Sequence, residues 1–244
     1  MGARPVTDAE LAARLADAAG QILTVLRASG TLAGKPLGAA GDATADAFLI
    51  AALKTLRPED GILCEEGKDN PDRLSRRRVW IVDPLDGTRE YSESRDDWAV
   101  HVALAEDGVA TVGAVAQPGV GLFRSDAPPA LPEPAPAIVV SRTRPPAEAT
   151  RVAAALGLEL LGMGSAGAKA MAVLRGQAVA YLHSGGQHEW DSAAPVAVCA
   201  AAGLHVSRLD GGPLLYNCAN PYLPDLLICH PDWRERIQAA LAAE

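Results

Sequence analysis

Val79-Trp80-Ile81-Val82-Asp83-Pro84-Leu85-Asp86-Gly87-Thr88 joins an apolar run to a tight acidic turn. Large apolar residues ending in turn formers predict a buried strand with Asp83, the Leu85 carbonyl and Asp86 gathered at its C-terminal end. Oxygen donors converging on one point suit a hard divalent cation such as Mg²⁺. Gly87, lacking a Cβ, lets the backbone approach an anion closely, and Thr88 sets a hydroxyl beside the cation. An isolated Asp-x-x-Asp is more often a solvated turn, so the surroundings decide.

Two further acidic elements supply those surroundings. Glu65-Glu66 follows Ile62-Leu63-Cys64, and Trp190-Asp191-Ser192-Ala193-Ala194-Pro195 stands at the start of a helix far downstream. In this order the three elements resemble the signature of the inositol monophosphatase superfamily, the Mg²⁺-dependent, lithium-sensitive sugar and nucleotide phosphatases: Glu-Glu, then Asp-Pro-(Ile/Leu)-Asp-Gly-Thr, then Trp-Asp-x-Ala. The resemblance runs over nearly the whole chain and implies a mixed α+β and α/β fold, the layered α/β/α/β sandwich. It also implies that Glu65, Asp83 and the Leu85 carbonyl hold one Mg²⁺, and Asp83, Asp86 and Asp191 a second, within a cluster of about two or three ions. Asp86, Gly87 and Thr88 would contact the substrate, the two backbone N–H groups cradling its phosphate. The Thr88 hydroxyl would help take a proton from the attacking water, with a carboxylate partner.

In the superfamily that partner is an Asp before the second helix, which points to Asp42, with Asp46 as the alternative. Here the usual Thr-Ala-x-Asp lead-in is replaced by Gly38-Ala39-Ala40-Gly41. An Asp at that place can also cap the helix. Glu66 reads as a supporting or surface carboxylate rather than a ligand, and Lys35 is left open between phosphate and solvent.

The chain has 244 residues, 49% of them hydrophobic, enough for one enzyme-sized unit or two tightly packed halves. Its net charge of −8 argues against nucleic-acid partners, and bound divalent cations would reconcile an acidic chain with an anionic small-molecule substrate. The start, Met1-Gly2-Ala3-Arg4-Pro5, has no apolar h-region, and no run of about 18 apolar residues occurs, so a cytoplasmic protein without a membrane partner is expected. Cys64, Cys199, Cys218 and Cys229 lack Cys-x-x-Cys spacing and read as free thiols. Oligomeric state is left open, a homodimer included.

Thr7-Asp8-Ala9-Glu10 is a capping box before a helix reaching about residue 28, and a second helix is expected from about Ala43 to Leu56, ended by Arg57-Pro58. Trp98 to Leu104 and Val109 to Val115 read as a hairpin about Asp107-Gly108. Five prolines between Ser125 and Ala137 mark the boundary between an N-terminal α+β half, 1–134, with the metal motifs, and a C-terminal α/β half, 135–244, with Asp191 and the substrate-selective residues. In the second half, strands over 138–140, 178–182 and 226–229 alternate with helices from about 147, over 166–174, over 193–202 and over 233–243. Trp80 and Trp98 read as core. Among the histidines only His188 falls near the proposed site, and Arg76-Arg77-Arg78 reads chiefly as a solvated turn.

Within the superfamily, Glu189-Trp190-Asp191, Gly164-Ser165-Ala166-Gly167-Ala168-Lys169, Ser141-Arg142-Thr143-Arg144 and Asp86-Gly87-Thr88-Arg89-Glu90-Tyr91 resemble the CysQ-type 3′-phosphoadenosine-5′-phosphate phosphatases. This implies hydrolysis of the 3′-phosphate to AMP and phosphate, with the 5′-phosphosulfate as a further substrate, in sulfur assimilation. Ser165, Lys169, Glu189 and Arg142 are then expected to touch substrate. The spare phosphate calls for a cation outside the metal cluster, with Lys169, Arg142 and Arg144 available. The alternatives are an inositol-1-phosphate or fructose-1,6-bisphosphate phosphatase and, in another class, a regulatory partner of the transcription machinery.

Overall fold

The computed structural model describes residues 6–243, and the reading of residues 1–5 lies outside them. Two five-stranded sheets carry the fold. The first has the order β1-β2-β3-β4-β5: β1 (Gly61–Cys64), β2 (Arg78–Asp86), β3 (Ala99–Glu106), β4 (Val109–Gln117) and β5 (Gly121–Arg124). β1 pairs parallel with β2, and the remaining pairs are antiparallel. The second sheet has the order β7-β6-β8-β10-β9: β6 (Ala137–Ser141), β7 (Glu159–Met163), β8 (Ala180–His188), β9 (His205–Ser207) and β10 (Tyr222–Cys229).

Alternation along β2 sets the layers. Trp80 and Val82 pack against α1 (Asp8–Ala28) and α2 (Gly34–Leu56), whereas Val79 and Ile81 join a core shared with α5 (Ala166–Leu174) and α6 (Glu189–Ala201). By the same alternation Asp83 continues the second face, toward the helices between the sheets. The expected α/β/α/β layering is therefore present, and α4 (Ala147–Leu156) and α7 (Arg234–Ala242) cover the outer face of the second sheet. Short α3 (Thr88–Ser92) leaves the end of β2 at Gly87.

Local signals explain the rest. Thr7 Oγ1 accepts from the Glu10 N–H at 3.2 Å while Glu10 Oε2 accepts from the Thr7 N–H at 3.0 Å, the reciprocal capping box. Asp107 and Gly108 turn the β3–β4 hairpin with φ of 50° and 80°. Trp80 and Trp98 are fully buried. From the basic run, Arg78 reaches Asp60, Asp8 and Glu106 at 3.0 to 3.1 Å, which ties β2 to its neighbours far from the acidic turn. All four cysteines are free, and no helix among the described residues is long and apolar enough to cross a membrane.

Several boundaries differ from expectation. α2 starts at Gly34 rather than Ala43, so Asp42 sits inside the helix and does not cap it. Gly38 and Gly41, which looked like loop residues, are a packing face. A Cβ at Gly38 would fall 2.8 Å from Thr88 Cγ2, and one at Gly41 3.0 Å from both Leu85 Cδ2 and Tyr91 Cε1. Their smallness lets α2 lie against the acidic turn. α6 begins at Glu189 rather than Ala193 and contains Pro195, while β8 continues to His188. β5, β7 and β9 had no sequence signal, being three to five residues long and, in β7, exposed along most of the strand.

α6 lies unusually close to the first sheet. A Cβ at Gly113 of β4 would stand 2.5 Å from the Ala194 carbonyl oxygen and 2.8 Å from Ala197 Cβ. Gly113→Ala should therefore push α6 off the sheet and cost about 1–3 kcal/mol of stability, read from urea unfolding midpoints at unchanged m-value.

Candidate active site and metal centre

At the end of β2, Asp83 Oδ1 accepts from the Leu85 N–H at 3.0 Å, folding the chain so that Asp86 returns toward Asp83. The β2–β3 register slips at the same place, between Asp83 and Asp86. Asp191 comes from the first turn of α6, where its Oδ2 accepts from the His188 N–H at 2.7 Å. One carboxylate oxygen each from Asp83, Asp86 and Asp191 lie within 4.8 Å of one another. Glu65, just past β1, lies outside that triad at the cleft mouth and sets its carboxyl against that of Asp83.

Four acidic groups at one point repel. Burial, then the charges of Glu65, Asp86 and Asp191, push Asp83 well up from the ordinary carboxylate range. Burial and the Asp191 charge raise Glu65 to about 7, and burial with the Asp86 charge raises Asp191 to about 7. An all-oxygen donor set short of positive charge fits a divalent cation, with Glu65, Asp83, Asp86 and Asp191 available to hold it.

Asp86 behaves differently. Burial alone would raise it, but the adjacent His101 charge, helped by Lys169 and the Ser165 hydroxyl, holds it down at about 2. Its Oδ2 accepts from Ser165 Oγ at 2.5 Å and the Gly167 N–H at 2.7 Å, and its Oδ1 from the Ala166 N–H at 3.1 Å. Asp86 thus sits on the free N–H groups opening α5, where helix geometry favours an anion. His101 Nε2 lies 3.2 Å from Asp86 Oδ2 and its Nδ1 is 3.1 Å from the Trp190 carbonyl, so the fully buried ring joins β3 to α6. The expectation that His188 alone approaches the site is overturned: His188 stacks on Trp190, and His101 holds the central place. The missing signal was register, since β2–β3 pairing sets His101 opposite Asp83. Gly167 has no room for a Cβ beside His101 Nε2, nor Gly164 beside Glu90.

Thr88 Oγ1 lies 3.2 Å from Asp42 Oδ1 and 3.1 Å from the Leu85 carbonyl oxygen. Asp46, the alternative partner, instead accepts from the Cys64 thiol at 3.0 Å. Burial, then the Glu66 charge, raises Asp42 to about 6 against the opposing Thr88 hydrogen bond. Gly87 has φ of 91°, and a Cβ there would come within 3.2 Å of Ser165 Cβ and 3.3 Å of the Asp97 carbonyl. A glycine is required on both counts.

The expected substrate contacts separate. Ser165, Lys169 and Arg142 line a cleft of about 470 Å³ together with Glu65, Asp86, Gly87, Thr88 and Asp191. Glu189 does not. It is buried on the far side of α6, accepting from the Asn217 and Cys218 N–H groups at 2.6 and 2.8 Å, because the α6 turn that brings Asp191 inward points Glu189 away. Lys169 Nζ donates to the Gly164 and Ser165 carbonyls, and burial lowers its pKa to about 8 against the pull of Asp86 and Asp191. Arg142 pairs with Glu90 at 3.2 Å and Asp97 at 2.5 Å, and Asp97 Oδ2 also accepts from the Gly164 N–H.

Raised carboxylate pKa values fix the sign of a pH effect. Protons held by Asp83 and Asp191 in the fold stabilise it below the unfolded value near 3.8, and that stability is lost as pH rises to about 7. The cation-free protein should be more stable near pH 5 than near pH 8. Mg²⁺ at a hundredfold its dissociation constant should add about 2.7 kcal/mol and flatten the pH dependence. Thermal melts with Mg²⁺ or with EDTA across pH check both, and identical melts would remove the cluster as a cation site.

Sequence models and relatives agree on kinship. The inositol monophosphatase family model matches residues 6–127 and 135–243. The 3′-phosphoadenosine 5′-phosphate phosphatase of Mycobacterium leprae is 50% identical, covering 93% of this chain and 90% of its own, and that of Mycobacterium tuberculosis is 49% identical over 84% and 82%. The 3′(2′),5′-bisphosphate nucleotidase CysQ of Escherichia coli K12 is 31% identical over 75% and 81%. Among solved structures, CysQ from Bacteroides thetaiotaomicron superposes with a TM-score of 0.79 at 25% identity, covering 92% of this chain and 97% of that one. By matched length, identity and fold alike, the chain belongs to the inositol monophosphatase family.

Proposed function

We propose that this protein is a Mg²⁺-dependent phosphatase that removes the 3′-phosphate of 3′-phosphoadenosine 5′-phosphate, giving AMP and phosphate, in sulfur assimilation. The similarity to the mycobacterial enzymes carries the choice of substrate. The carboxylate cluster beside the Thr88–Asp42 pair supports the chemistry. On this reading residues 1–134 supply most of the reacting groups, and residues 135–244 supply Asp191 and select the substrate. The net charge of −8 argues against nucleic-acid partners, and on this reading bound divalent cations reconcile it with a small anionic substrate.

Divalent cations bound by Glu65, Asp83, the Leu85 carbonyl, Asp86 and Asp191 would activate water and offset charge on the phosphoryl oxygens. The N–H groups of Gly87 and Thr88, at the opening of α3, hold the phosphate. Thr88 Oγ1 passes its proton to Asp42 and receives one from the attacking water. Asp42, with a pKa of about 6, is ionised at neutral pH and can accept that proton from a water whose acidity the bound cations would raise. α5 and His101 keep Asp86 from turning, and the His188 N–H orients Asp191.

A relay acts as a unit. Thr88→Ala and Asp42→Asn should each lower kcat about 10²–10⁴-fold, and the double variant should be no worse than the poorer single one; multiplicative losses would separate the two residues. Phosphate release from 3′-phosphoadenosine 5′-phosphate, inositol 1-phosphate and fructose 1,6-bisphosphate, compared as kcat/KM, should favour the nucleotide by at least tenfold. Equal or reversed values would move the substrate to sugar phosphates, and release from none would favour a regulatory binding role.

A further inference from the structure

The cleft that holds the carboxylates is also lined by five basic groups, Arg89, Arg142, Arg144, Lys169 and His183. Three of these groups are already engaged. Arg142 is shared between Glu90 and Asp97, and Lys169 Nζ is buried on two backbone carbonyls. His183 Nε2 meets the Gly185 carbonyl at 2.8 Å, and burial, with the Lys169 and Arg144 charges, lowers its pKa to about 4, leaving it neutral.

Arg144 is placed differently. Among the described residues it makes no ion pair, and its side chain is exposed in the loop between β6 and α4, whose backbone is fixed by the Arg144 N–H donating to Ser141 Oγ at 3.3 Å. Across from it β8 bends through Gly185 and Gly186, with φ of 75° and 78°. A Cβ on Gly186 would stand 3.9 Å from Arg144 Nη1, so the guanidinium lies over this bend with its fork unclaimed. Arg89 is the other cleft cation without an ion pair, but it stands on α3 beside Thr88, next to the phosphate that reacts.

A second phosphate entering a cleft walled by four carboxylates needs an uncompensated cation away from them, and a planar guanidinium binds phosphate through two parallel hydrogen bonds. We infer that Arg144 is the specificity-determining residue that takes the non-reacting phosphate of a nucleoside bisphosphate. This deepens the phosphatase reading and rests on it. It also narrows the three candidate cations, Lys169, Arg142 and Arg144, to the one whose charge is free.

The test compares wild type, Arg144→Gln and Arg144→Lys on 3′-phosphoadenosine 5′-phosphate and on adenosine 3′-monophosphate, which carries the same reacting phosphate and no second one. Arg144→Gln should lose about 10- to 100-fold in kcat/KM on the bisphosphate, mainly through KM, and change less than about twofold on the monophosphate. Arg144→Lys should recover part of the loss, since the charge remains and the fork does not. Calorimetry should show the same selectivity, with AMP binding weakened by Arg144→Gln and adenosine binding unchanged. Equal losses on both substrates, or none on the bisphosphate, overturn the role of Arg144 while leaving the nucleotide reading intact. A wild type that does not prefer the bisphosphate overturns both.

Discussion

Like charges brought to one point are the constraint on which this structure depends. Asp83 and Asp86 are buried within a few ångströms of Asp191, with Glu65 against them, an arrangement that costs free energy in any fold lacking positive charge nearby. The protein answers only in part. Asp86 receives the N–H groups opening α5, the Ser165 hydroxyl and His101, and its pKa stays low. Asp83 and Asp191 accept backbone N–H groups from Leu85 and His188, but these do not outweigh burial and mutual repulsion, and with Glu65 they hold their protons more tightly. That division ties one carboxylate to the scaffold and leaves the others short of positive charge, a deficit that a divalent cation held by all four would make good.

Bringing elements this close requires small residues. α2 reaches the acidic turn across Gly38 and Gly41, α6 reaches the first sheet across Gly113, and the start of α5 closes on Glu90 and His101 across Gly164 and Gly167. Each contact fixes one side of the site: Asp42 through α2, Asp191 through α6, and the donors to Asp86 through α5. The two glycines where β8 bends near Arg144 are there for backbone conformation, with φ of 75° and 78°, since a Cβ on Gly185 would meet nothing within 4 Å and one on Gly186 only Arg144 Nη1 at 3.9 Å.

Cations are sorted by what claims them. Arg78 holds strands together far from the site, and Arg142 anchors the loop before α5 through Glu90 and Asp97. Lys169 stabilises that loop through its carbonyls. Residue type alone does not distinguish these roles from that of Arg144, because a guanidinium looks the same in sequence whether or not a carboxylate has neutralised it.

Local chemistry was legible in the sequence. The capping box at Thr7, the hairpin at Asp107-Gly108, the buried strand before Asp83 and the three acidic elements follow from patterns spanning a few residues, and they sufficed for the family. What depended on distant partners was not. Gly38 and Gly41 read as loop because a glycine pair weakens a helix unless something packs against it, and Thr88, Leu85 and Tyr91 are that something. Glu189 and Asp191 are both acidic and nearly adjacent, yet helix rotation sends one to the Asn217 turn and the other into the cluster. His101 gained its place from strand register. The sequence by itself determined which groups could do chemistry; the tertiary structure decided which of them face one another and which charges remain free, because both depend on contacts between residues far apart in the chain.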